Sequence, residues 1–124
     1  MSSRSRLLIF NSPRVAGAAA LLIVAVVYLL TFQSDINSHP DEYLVDTGEY
    51  QIALGLWGTV HHTGAPTFSM LGAAFVSLVR LTGIQPAAGA ALFSVVCTLA
   101  GLGIMYALGL RLTGNPWASG SAVL

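Results

Sequence analysis

All five acidic residues (Asp35, Asp41, Glu42, Asp46, Glu49) and all three histidines (His39, His61, His62) fall between Asp35 and His62. The five arginines (Arg4, Arg6, Arg14, Arg80, Arg111) all lie outside that stretch. Carboxylates and imidazoles gathered this way can take protons or hold a metal. Asp46 and Glu49 are three positions apart, a spacing that puts both carboxylates on one face at a helix start. The same spacing is that of a capping box, with Asp46 at the N-cap and Glu49 reaching back from the third helical position. Spacing alone leaves both readings open. His61 and His62 are adjacent and point in different directions on a helix. A metal would therefore need Asp46 or Glu49 to complete its shell, and no metal site is expected. His39-Pro40-Asp41-Glu42 is a second acidic cluster, in a loop, where solvated charge is the plainer reading.

The elements holding these residues are greasy. The chain is 55% apolar and 8% charged, with mean hydropathy +0.75, whereas soluble domains carry about 25% charged residues. Too few polar groups exist to cover a soluble surface, so an integral membrane protein is expected. Formal net charge is zero, which gives no electrostatic footprint for nucleic acid. Cys97 is the single cysteine and reads as a small packing residue.

Residues 15–32 carry no charge and follow three arginines. A secretory leader starts similarly, but its apolar region is usually about 7–15 residues and ends in a small-x-small site. An uncleaved first span is the better reading. Pro66 opens a second apolar stretch, 66–82, where Arg80 can snorkel to the interface. Residues 87–110 make a third span, with Cys97/Gly101 and Gly103/Ala107 as small-xxx-small pairs for close helix approach. A fourth span is expected to start at Trp117, so the chain reads as the N-terminal part, 1–124, of one longer multi-pass domain. Between spans one and two, residues 33–65 form a loop. In it, Tyr50, Ala53, Leu54, Trp57, Val60 and His61 share a helical stripe, expected to lie at the membrane interface. The expected fold is thus all-α and polytopic, three spans and the start of a fourth, with an amphipathic interfacial helix in the first extracytoplasmic loop. The positive-inside rule then puts the N-terminus in the cytoplasm, with four of the five arginines inside and only Arg111 outside.

Asp46-Thr47-Gly48-Glu49-Tyr50, followed by His61-x-x-Gly64-x-Pro66 and a span, resembles the first-loop signature of a bacterial multi-pass family. That family carries a domain of unknown function and is grouped with protein O-mannosyltransferases in the GT-C superfamily. Its pattern is approximately Asp-Ser-Gly-Glu-Phe, a short helix, then His-Pro-Pro-Gly-Tyr-Pro. Here His62 and Thr63 stand for the two prolines and Ala65 for the tyrosine. His39-Pro40-Asp41-Glu42 is also similar to a His-Pro-Asp-Glu motif of other lipid-linked mannosyltransferases, which makes Asp41/Glu42 the alternative acidic pair.

The resemblance implies an inverting, mannosyl-type transfer from a polyprenyl-phosphate donor to an acceptor hydroxyl, at the extracytoplasmic face of a bacterial plasma membrane. An acceptor hydroxyl must shed its proton as it attacks, and a carboxylate base helps by about 10²–10⁴-fold. By resemblance Asp46 is the base, Glu49 orients the acceptor or Asp46, and His61 and Gly64 shape the donor side. Arg111 is the outer cation for the donor phosphate. No cofactor is expected, and a divalent metal is allowed rather than required. The partners are the lipid-linked donor, an unspecified acceptor and membrane lipids. The isolated 124 residues are expected to be inactive. Two other classes fit the composition: a structural or assembly membrane protein with a capped helix, and a transporter subunit with a cation-attracting acidic loop. The uncharged spans 15–32 and 87–110 count against the transporter.

Overall fold

The computed structural model of the chain describes residues 12–37, 45–60 and 65–124. Within them the regular elements are all helices: α1 (Pro13–Leu30), α2 (Val45–Leu56), α3 (Pro66–Arg80), α4 (Pro86–Thr113) and α5 (Pro116–Ser121). Four of the five open on proline, which suits a helix's first turn because its missing N–H would lack an acceptor there anyway.

Among the described residues two helices are long and apolar enough to cross a membrane: α1, with 18 residues, and α4, with 28. Their lengths are about 27 and 42 Å, against a hydrocarbon core of about 30 Å. α3 matches the expected second span in place but has 15 residues, or about 22 Å. The chain forms two compact units, one of residues 1–31 and 96–124 and one of residues 32–95; α4 contributes to both.

In the first unit, α1 and the second part of α4 run antiparallel. Tyr106 donates its hydroxyl hydrogen to the Pro13 carbonyl and its ring lies over Gly17, where a Cβ would stand 2.6 Å from Tyr106 Cε1. Further along, Gly103 faces Leu21, and Thr98 and Leu102 share a cleft with Val24 and Tyr28. Three alternating spans would instead carry the first and third in the same direction. The small-residue contact also differs from expectation. A Cβ on Gly101 would meet nothing within 4 Å, and Cys97 and Ala107 are exposed. Close approach is made by buried Ala16 and Ala20 on α1 against Gly120 of α5. α4 stops at Gly114, in the left-handed region at φ +64°, and Asn115 caps α5 by accepting from the Trp117 and Ala118 amides. The stretch expected to begin a fourth span is thus, at its start, a six-residue helix packed on α1.

In the second unit, α2 and α3 lie side by side and point the same way. Tyr50 meets Phe68 edge-on, with centroids 5.6 Å apart; Leu54 covers Gly72; and Trp57 reaches Ser77. The core is Leu54, Val76, Ala90 and Phe93, flanked by Phe68 and Phe75. Gly72 makes this possible: a Cβ there would stand 2.8 Å from both Leu54 methyls. The apolar stripe expected at the membrane interface is therefore covered, at Ala53 and Leu54, by protein.

α2 is also shorter than the stripe implies. It ends at Leu56, Trp57 takes a left-handed φ of +56°, and Gly58 N–H closes on Ala53 O at 2.8 Å. That six-to-one closure is a Schellman ending with tryptophan where glycine is usual. The left-handed backbone costs about 1–2 kcal/mol, offset in part by the indole N–H donating to Ser77 Oγ at 3.1 Å. Trp57 and Val60 are consequently placed by a turn, not by the helix face.

Candidate functional site

Asp46 is the second residue of α2. It stands inside the first turn, so the capping box with Asp46 at the N-cap is not formed. Asp46 is solvent-exposed in the first turn of the helix. Around it is a cleft of about 390 Å³ lined by Asp46, Thr47, Tyr50, Phe68 and Ser94. Asp46 and Tyr50 are one turn apart. The Tyr50–Phe68 pair is nearly perpendicular, at 87°, which presents one ring face and one ring edge. Ser94 Oγ donates to Ala90 O at 3.3 Å, leaving its lone pairs available to accept. Carboxylate, hydroxyls and aromatic surface together suit a polyol, whose O–H groups hydrogen-bond while its C–H faces pack on rings.

Glu49, on the same turn, is half-buried. Arg111 is exposed in the last turn of α4 and belongs to the other unit. His61, Gly64, Asp41 and Glu42, with His39 and His62, lie outside the described residues. Among the described residues no three His, Cys, Asp or Glu side chains gather as metal ligands.

The start of α2 is held by a residue that spacing did not single out. Gln51 is 4% exposed. Its Oε1 accepts from Asn37 N–H at 2.8 Å, and its Nε2 donates to Asp35 O at 3.1 Å. Gly48, one turn earlier on that face, lies against the Asn37 carbonyl, and a Cβ there would overlap that oxygen. The segment following α1 is thereby fixed across the first turn of α2, the turn that bears Asp46. No local pattern announces this, because the partners are backbone groups 14 and 16 positions away.

Among the described residues these features are those of a helical protein with two helices long and apolar enough to cross a membrane and an exposed carboxylate in a cleft beside aromatic and hydroxyl side chains. The chain belongs to the family described as the protein O-mannosyl-transferase TMEM260 N-terminal domain, whose model matches residues 46–120, more than half of its length. No curated protein and no solved structure matches the chain. The family agrees with the resemblance to O-mannosyltransferases and points to a glycosyltransferase-like role in a membrane. The match begins at Asp46 itself and includes all of the residues lining its cleft.

Proposed function

We propose that the chain is part of a GT-C-type glycosyltransferase that moves a sugar from a polyprenyl-phosphate donor to an acceptor hydroxyl with inversion, and that Asp46 is the general base. The observation that carries this reading is the Asp46 carboxylate beside the Tyr50–Phe68 pair and Ser94, within the matched residues. The acceptor O–H gives its proton to a carboxylate oxygen of Asp46 as its oxygen bonds to the anomeric carbon. The bond from that carbon to the donor phosphate breaks on the opposite face, and the phosphate leaves with the electron pair. Glu49 orients the acceptor or Asp46, and His61 and Gly64 border the donor. Asp41/Glu42 is the alternative acidic pair.

The antiparallel run of α1 and α4 supports a two-crossing topology for these residues. Both the N-terminus and the 114–115 turn then face the cytoplasm, and the connection between the two helices faces the other side. Arg4, Arg6, Arg14 and Arg111 are inside and Arg80 is outside, so four of the five arginines still obey the positive-inside rule.

The test is Asp46→Asn in the full-length protein, scored by sugar transfer. Asparagine keeps shape and hydrogen bonding but cannot take the proton, and a loss of about 10²–10⁴-fold is expected. Transfer at the unmodified rate would leave Asp46 as a helix-end charge and direct attention to Asp41/Glu42 or to a structural role.

A further inference from the structure

A second cleft lies on the other side of α2 from Asp46. It has a volume of about 450 Å³, and its lining includes Asp35, Ile36, Ile52, Leu56, Arg80 and Gln85. Ile36, Ile52 and Leu56 expose 52%, 47% and 75% of their surface, so the wall is aliphatic and open. Among the described residues its rim carries one carboxylate, Asp35, and one guanidinium, Arg80. Among the described residues no ion pair joins Asp35 to Arg80; Asp35 Oδ2 instead accepts from Ser34 Oγ at 3.0 Å. Gln51, at the floor, already spends its amide on the backbone of Asp35 and Asn37. Arg80 and Asp35 thus offer an occupant a cation and an anion beside an aliphatic wall.

We infer that this cleft is a binding site for a zwitterionic phospholipid with a primary ammonium headgroup, phosphatidylethanolamine in chemistry. The phosphate pairs with Arg80, whose fork matches two of its oxygens. The ammonium donates to Asp35, and acyl chain lies along Ile36, Ile52 and Leu56. Charge complementarity selects this occupant. A purely anionic lipid would place negative charge beside Asp35, and a trimethylated headgroup has no N–H to donate. The assignment does not depend on Asp46 or on the sugar-transfer reading.

Native mass spectrometry of the detergent-solubilised full chain tests it, with dioleoyl-phosphatidylethanolamine, dioleoyl-phosphatidylcholine and dioleoyl-phosphatidylglycerol as probes. Phosphatidylethanolamine should be retained about tenfold more strongly than the other two, the effect of one charge-assisted contact. Arg80→Gln should weaken retention of all three, Arg80→Lys should keep the preference, and Asp35→Asn should reduce phosphatidylethanolamine to the level of phosphatidylcholine. Both altered side chains are exposed, so an unchanged helical circular dichroism signal is the folding control. Equal retention of the three lipids would overturn the assignment, as would a preference that survives Asp35→Asn. Stronger retention of undecaprenyl phosphate than of phosphatidylethanolamine would also overturn it, giving the cleft to an anionic polyprenyl ligand.

Discussion

Gln51 and Asn37 stand 14 positions apart, and the buried Gln51 Oε1 accepts the Asn37 amide hydrogen at 2.8 Å. This bond, with its companion to Asp35 O, ties the chain leaving α1 to the helix that carries Asp46. Replacing the side chain by an apolar one of similar size removes a donor and an acceptor together. Gln51→Leu should destabilise the second unit by about 1–3 kcal/mol, because two backbone groups lose their partners. Denaturant titration in detergent checks the loss. Limited proteolysis should cut sooner near Asp35.

Gly48 and Gly101 should respond oppositely to the same methyl group. At Gly48 a Cβ would overlap the Asn37 carbonyl oxygen, while at Gly101 it would meet nothing within 4 Å. Gly48→Ala is expected to displace the 35–37 segment and lower thermal stability and sugar transfer together. Gly101→Ala should leave transfer unchanged and raise stability by up to about 1 kcal/mol, the usual gain from alanine in a helix interior. A neutral Gly48→Ala would show that the segment yields at little cost.

Two single-cysteine variants in a Cys97→Ser background decide the topology. Three alternating crossings place the Thr82 turn in the cytoplasm and Asn115 outside. Antiparallel α1 and α4 reverse both. Thr82→Cys should therefore label with a membrane-impermeant maleimide added outside intact cells, and Asn115→Cys should label only after permeabilisation. The opposite pattern restores the three-crossing arrangement.

Trp57 occupies a left-handed position and donates to Ser77 Oγ at 3.1 Å. Ser77→Ala removes only the acceptor and should cost about 0.5–1.5 kcal/mol. Trp57→Gly removes the same bond but relieves the backbone, worth about 1–2 kcal/mol, so it should cost less than its large loss of side chain suggests. Paired thermal melts check the ordering.

Composition and hydropathy by themselves pointed to helices apolar enough to cross a membrane, and the described residues carry two of them. Long uncharged runs favour a hydrocarbon environment, and their positions matched the two helices long and apolar enough to span one, α1 and α4. The motif beginning at Asp46 pointed to a relation with O-mannosyltransferases, with which the family match agrees, because residue identities at fixed spacing survive without any geometry. Spacing also suggested helix α2, but not its end. The left-handed Trp57 depends on Ser77, twenty positions on. Which way α4 runs beside α1 was settled by Tyr106 packing on Gly17 and reaching Pro13. The cleft at Asp46 required Phe68 and Ser94 from other helices, and the clamp on its loop required Gln51 to find backbone partners. Hydropathy reports how each segment meets its surroundings. Direction, closure and the company a carboxylate keeps come from contacts between distant segments, and these exist only once the chain has packed.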